Sequence, residues 1–233
     1  MSAGTTASVI EIVGPAGSGK TTVAAQMCTR PGVSAWSSVS SADGRARRIV
    51  AGGRAMPEVL RLVTRRPPTR QQVAWLGRLV ALESVARRPD DGVLVLDQGP
   101  LYTLSRLMAA RPDCAGDGWI TRRTARWANL LDAVVLLDAA DEVLVERIRT
   151  RPKDHAVKAS GDGDALAAVA RQRDELELVV RAAEAHGLRV LRRRTDQLPV
   201  DQIADDAAML AARPRPGSAA GRTITTNDTK EWR

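Results

Sequence analysis

An eight-residue run, Gly14-Pro15-Ala16-Gly17-Ser18-Gly19-Lys20-Thr21, has the spacing G-x-x-x-x-G-K-[ST] of a phosphate-binding loop. Glycines let such a loop turn its backbone N–H groups toward phosphate oxygens, and the positive end of the helix that follows adds to the attraction. Lys20 is then placed to reach β- and γ-phosphates, facing solvent until they arrive, and the Thr21 hydroxyl to hold Mg²⁺. The run predicts a nucleoside triphosphate ligand. A second element is Asp97, which follows the apolar stretch Val93-Leu94-Val95-Leu96. An Asp ending a strand often just caps a turn, but beside a phosphate loop it is where a metal-linked or proton-accepting carboxylate belongs. A third is the basic run Arg147-Ile148-Arg149-Thr150-Arg151-Pro152-Lys153. Phosphoryl transfer spreads negative charge over the moving group, and a loop carrying Arg147, Arg149 and Arg151 suits a lid over it. The plain alternative is a helix end whose cations complement the dipole.

These residues need a scaffold that brings them to one edge. Val9–Val13 reads as a buried strand leading into the loop, and Thr21–Cys28 as the start of a helix. Val33–Val39 is a second strand, and Asp43–Arg65 has mostly helical spacing, ended firmly by Pro67-Pro68. Thr69 caps a helix running to about Arg87, with Val73, Leu76, Val80 and Leu82 near one face. Val93–Leu96 has the continuous apolar character of a strand buried on both faces. Helices follow at about Leu101–Ala110 and Trp119–Leu131, then strand Ala133–Leu137 and a short helix Glu142–Thr150. A long helix Asp162–His186, a last strand Leu188–Leu191 and a last helix Val200–Ala212 complete the pattern. Strands alternating with helices predict an α/β fold, a parallel sheet covered on both faces. Its C-terminal edge is where Asp97 and the phosphate loop would meet.

Composition bounds the rest. The 233 residues suffice for one α/β domain with a good core, although the chain has no Phe and one Tyr, leaving aliphatic residues and five Trp to fill it. No secretory signal or membrane-spanning run is visible, and Cys28 and Cys114 lack metal-ligand spacing, which together suggest a cytoplasmic protein with reduced thiols. Of the net +8, residues 147–158 carry +4 and residues 213–233 carry +3. Residues 43–70 carry eight Arg against Asp43 and Glu58. The basic balance alone would admit nucleic acid, but no DNA- or RNA-binding motif accompanies it. Residues 213–233 are rich in Pro, Gly, Ser and Thr without apolar periodicity and are expected to be a disordered tail.

Together, the run Gly14–Thr22, the strand with Asp97, the Arg147/Arg151 lid and Leu188–Gln197 resemble the thymidylate kinase and deoxynucleoside kinase group of P-loop kinases. The resemblance covers about Val9–Ala212. It implies a P-loop NTPase three-layer fold with a five-stranded parallel sheet in the order 2-3-1-4-5. The kinase domain would span residues 1–212, with a lid at about 147–160. It implies ATP and Mg²⁺ as cofactors, with Gly14, Ala16, Gly17, Ser18, Gly19, Lys20, Thr21 and Thr22 around the donor phosphates. Thr21 and Asp97 would serve the metal. Lys20, Asp97, Arg147 and Arg151 would carry catalysis, with Arg149 beside them. Arg192–Gln197, Thr195 among them, occupies the place of a loop that borders adenine. Related kinases are often homodimers.

Two departures stand out. Where the group has Asp-Arg or Glu-Arg after the third strand, this chain has Asp97-Gln98. Where the group stacks an acceptor base on Phe, this chain has none; Trp75, Tyr102 or Trp36 could substitute, with buried core packing the plainer role of each. The sequence therefore points to ATP-dependent transfer to a small molecule, with the arginines of residues 43–70 favouring an anionic acceptor such as a nucleoside monophosphate. A kinase of a sugar, antibiotic or other metabolite remains open. So does a nucleotide-dependent ATPase or switch acting through a protein partner, although the guanine-reading Asn-Lys-x-Asp motif is absent.

Overall fold

The computed structural model describes residues 7–36, 68–87, 92–111, 118–152 and 154–213. Five strands form one parallel sheet: β1 (Ser8–Val13), β2 (Val33–Trp36), β3 (Val93–Asp97), β4 (Ala133–Asp138) and β5 (Arg189–Arg194). Their order is β2-β3-β1-β4-β5, as expected. The helices are α1 (Lys20–Met27), α2 (Arg70–Ala86), α3 (Pro100–Ala110), α4 (Trp119–Leu130), α5 (Asp141–Thr150), α6 (Asp162–Ala185) and α7 (Val200–Ala212).

The two-residue alternation of the strands divides the core. Val9, Val13, Leu96, Val134 and Leu136 pack on one face under α2, α3, α4 and α6, where Leu76, Leu104, Trp127 and Val180 are buried. Ile10, Ile12, Val95, Val135 and Leu137 face the other way, onto Val23 and Met27 of α1 and Ile203 and Ala207 of α7. A third cluster joins α5 to α6 through Leu144, Ile148, Val157 and Val169, and the loop residue Ala16 packs against it. The arginine-bearing helix is thus seated on the phosphate loop itself.

Local signals act as the sequence predicts at α2. The Thr69 hydroxyl accepts from the Gln72 N–H and the Gln72 side chain accepts from the Thr69 N–H, a reciprocal cap. Val73 departs from expectation: it is exposed, and the buried stripe is Leu76, Leu79, Leu82 and Ala86. The last strand also differs. It continues through Arg192, Arg193 and Arg194, so only Thr195–Gln197 remains as the expected loop. An edge strand tolerates these charges because their guanidiniums pair with Glu184, Asp206 and Asp196. Of the second strand, Val33–Trp36 is observed; the rest of that reading, the helical reading of 43–65, Cys114 and the tail beyond residue 213 lie outside the described residues. Among the described residues, no helix is long and apolar enough to cross a membrane.

Candidate functional site

At the C-terminal edge of the sheet, the phosphate loop opens into a cleft of about 360 Å³, the size of a small-ligand site. Gly17, Gly19, Lys20, Thr21 and Thr22 form its base. Arg147, Arg151 and Thr195 line it on the β4–β5 side, and Gln98 lines it from the end of β3. The loop's shape depends on Gly17, whose φ of 84° is left-handed and whose Cβ would come within 2.7 Å of the Leu144 carbonyl oxygen.

Lys20 is not solvent-facing as the sequence reading has it. It is 6% exposed, and its ammonium donates to the carbonyls of Gly14 at 2.8 Å and Pro15 at 2.7 Å. A lysine in this position braces the loop as well as supplying charge. Ser18 is buried, and the Ala16 N–H donates to Gln172 Oε1 of α6 at 3.0 Å. Gly14, Ala16 and Ser18 therefore shape the loop from beneath rather than lining the cleft.

Thr21 and Asp97 are brought together: the Thr21 hydroxyl donates to Asp97 Oδ2 at 2.9 Å. The second carboxylate oxygen, Oδ1, is buried with no hydrogen-bond partner among the described residues. Hydroxyl and carboxylate oxygens are the donors Mg²⁺ takes when phosphates and water complete its shell, so this pair fits the ion.

The arginine run separates by helical phase. Arg147 donates to the Thr195 hydroxyl at 2.7 Å and to its carbonyl at 3.0 Å, fixing both at the cleft. Arg151, four residues on, also lines the cleft, and its Nε is buried without a hydrogen-bond partner among the described residues. Arg149 is not brought to the cleft; it points to Asp162 at 2.7 Å and to the Ser160 carbonyl. Residues two apart on a helix point away from each other, whereas those four apart share a face.

Sequence reasoning missed a support network beneath Asp97. Glu11 of β1 is fully buried, and its two oxygens accept from the N–H groups of Leu101 at 2.9 Å and Tyr102 at 3.1 Å, capping α3. The available signal was one carboxylate in an otherwise apolar strand. Burial outweighs these hydrogen bonds and pushes the Glu11 carboxyl from about 4.5 up to about 8. Arg78 of α2 donates to the carbonyls of Asp97 and Gln98, tying that helix to the end of β3. On the lid side, Arg173 of α6 bridges Asp138 and Asp141, joining β4 to α5.

The raised carboxyl has a consequence for stability. Between pH 4.5 and 8 the native chain keeps a proton on Glu11 that the unfolded chain releases, so this residue's contribution declines as pH rises through that window. Glu11→Gln cannot lose that proton. Its Tm relative to wild type is expected to climb steadily from pH 5 to pH 8, whatever the offset at pH 5. A difference that stays constant across the range would show that Glu11 does not titrate there.

A family model described as an AAA domain matches residues 9–178. No curated protein matches the chain. Among solved structures, the deoxyadenosine kinase of M. mycoides with bound dCTP is 13% identical, with a TM-score of 0.51, covering 85% of this chain and 96% of that one. The same enzyme with products dCMP and a flexible dCDP is 14% identical, with a TM-score of 0.50, covering 85% of this chain and 95% of that one. At such identities the likeness concerns the fold, which is shared from the sheet order outward.

Proposed function

Because the chain belongs to the AAA domain family and has the fold of P-loop kinases, we propose that it is an ATP-dependent phosphotransferase acting on a small, anionic acceptor of the nucleoside or nucleoside monophosphate class. One observation carries the reading. Two buried atoms on groups of opposite charge, Asp97 Oδ1 beside Thr21 of the cleft's base and Arg151 Nε on a residue that lines the cleft, have no hydrogen-bond partner among the described residues. Buried polar groups are rarely left so, and a metal-bound polyphosphate would satisfy both.

The roles follow from position. Backbone N–H groups of Gly17–Thr22 and the dipole of α1 bind the donor phosphates, with Lys20 reaching the β- and γ-phosphates. Thr21 and Asp97 would hold Mg²⁺, which when bound neutralises charge on the phosphates undergoing transfer. Arg147 and Arg151 stabilise the transferred group from the lid, over about residues 147–160, and Thr195 borders the base. The phosphotransferase domain comprises residues 1–212. The acceptor's charge is supported by the arginines of residues 43–70, of which Arg45, Arg48 and Arg65 lie outside the described residues and Arg70 opens α2. A supply of Mg-ATP and the free thiol of Cys28 fit a cytoplasmic setting.

Arg147→Ala is expected to raise the KM for ATP by about tenfold or more, as loss of a charge-assisted contact does. Arg149→Ala should leave it within about twofold, since its partners are Asp162 and Ser160. Equal effects of the two substitutions in steady-state assays would remove the distinction drawn by helical phase.

The function itself is tested by ADP release. With Mg-ATP alone, turnover should be slow, because a kinase keeps water from the phosphates until its lid closes. Adding nucleosides, nucleoside monophosphates and other small metabolites one at a time should reveal one class that accelerates it and becomes phosphorylated. Turnover raised only by a protein, with no small molecule modified, would instead identify a switch.

A further inference from the structure

Gln98 is the described non-glycine residue with a left-handed backbone, at φ 55°. That conformation is uncommon for a residue with a side chain and persists where the surroundings hold it. Here the hold comes from every side. The Gln98 N–H donates to the Ile12 carbonyl at 3.3 Å, and its own carbonyl accepts from Arg78. The next residue, Gly99, has no room for a Cβ, which would stand 2.8 Å from the Glu11 carboxyl carbon. The Gly99 carbonyl accepts from both the N–H and the hydroxyl of Thr103, at 3.1 and 2.8 Å, while Glu11 caps the start of α3. The strained residue is therefore clamped between β1, α2 and α3.

That clamp leaves the side chain at the cleft. Gln98 lines it beside Lys20 and Thr21, and its carboxamide forms no protein hydrogen bond among the described residues. Sheet order sets which end of the ligand it meets. Thr195 follows β5 and Gln98 follows β3, on opposite sides of the phosphate loop that follows β1. A nucleotide with its base near Thr195 and its phosphates on the loop directs its γ-phosphoryl end toward β3. A neutral carboxamide there offers an N–H donor to a phosphoryl oxygen and a carbonyl acceptor to an incoming O–H.

From this geometry, and resting on the phosphotransferase reading above, we infer that Gln98 is a catalytic residue that orients the oxygen nucleophile in line with the γ-phosphorus. The nucleophile is an acceptor oxygen in transfer, a hydroxyl of a nucleoside or a phosphate oxygen of a nucleoside monophosphate, or water in slow hydrolysis. Its oxygen bonds to the γ-phosphorus while the bond from that phosphorus to the β,γ-bridging oxygen breaks. The bonding pair leaves with ADP, and any proton carried by the nucleophile passes to an oxygen of the transferred phosphoryl group. Gln98 takes no proton. It contributes alignment, which is where most catalysis of this reaction resides.

The test compares wild type, Gln98→Ala, Gln98→Gly and Lys20→Met in three measurements: Mg-ATP affinity, Mg-ATP turnover with and without a panel of nucleosides and nucleoside monophosphates, and Tm. Both Gln98 variants should turn over Mg-ATP about 10–100-fold more slowly, with a Kd for Mg-ATP within about twofold of wild type. Gln98→Gly should have a Tm no lower than wild type, because glycine accepts φ 55° without strain. Unchanged turnover in both Gln98 variants would overturn the inference. So would a loss of turnover matched by a loss of Mg-ATP affinity, or a lower Tm in Gln98→Gly, which would make the residue donor-binding or structural. The phosphotransferase reading fails in a different pattern: wild type that turns over no ATP, or Lys20→Met as active as wild type.

Discussion

Lys20→Met should reduce the kcat of phosphoryl transfer by about 10²–10³, the usual cost of removing one preorganised cation from developing phosphoryl charge. Methionine keeps the length and apolar stem of the lysine, so the buried position stays filled. The carbonyls of Gly14 and Pro15 lose the ammonium that the structure places 2.8 and 2.7 Å from them. The loop is therefore expected to loosen, and affinity for ATP should fall together with kcat. Lys20→Arg discriminates charge from fit: it retains the cation but is too bulky for a pocket closed by three loop residues, and it should restore little activity. Wild-type rates in Lys20→Met, measured on protein with an unchanged circular dichroism spectrum, would remove the phosphate loop from the chemistry.

The second large effect belongs to Asp97. Asp97→Asn keeps the size of the side chain and one oxygen for the Thr21 hydroxyl, now 2.9 Å away, but loses the charge. Transfer supported by Mg²⁺ should fall by about 10²-fold or more, while binding of ATP measured in EDTA should change little, because the phosphates contact the loop and not the carboxylate. If the variant lost affinity for ATP equally with and without Mg²⁺, Asp97 would be supporting the loop rather than the ion. Thr21→Val should resemble Asp97→Asn in its Mg²⁺ dependence, since the two side chains meet in one hydrogen bond.

What the sequence made legible was local or periodic. The phosphate loop is contiguous, so its eight residues could be read without knowing what they touch, and Val93–Leu96 announced Asp97 by its position at the end of a buried run. The parallel sheet followed from strands alternating with helices; its order came from the family resemblance alone, and it is the order observed. The lid was visible as charge but not as geometry. Arg147, Arg149 and Arg151 read as one basic run, whereas Arg147 on α5 and Arg151 at its C-cap line the cleft and Arg149 turns to Asp162. That separation was available from the 3.6-residue period.

Long-range partners were not legible. Glu11 looks like an interruption of β1 until α3, ninety residues later, presents its N–H groups to it. Arg78 sits among the apolar residues of α2 with nothing nearby to suggest that its guanidinium reaches the end of β3. The sequence reading ends the last strand at Leu191. Pairing with Leu136, Leu137 and Asp138 of β4 carries it to Arg194. In each case the deciding contact comes from an element distant in the chain, which hydrophobic period and turn chemistry do not encode.

The central proposal, transfer to a small molecule through this cleft, is met most directly by following the phosphoryl group. Wild type and Lys20→Met would be incubated side by side with Mg-ATP labelled in its γ-phosphoryl group and a panel of nucleosides and nucleoside monophosphates. The small-molecule products would then be separated from protein and from inorganic phosphate. Wild type should place the label on one class of acceptor, more heavily on members that already carry a phosphate, and Lys20→Met should place almost none. Label recovered only as inorganic phosphate, or on the same acceptor at equal rates with both proteins, would contradict it.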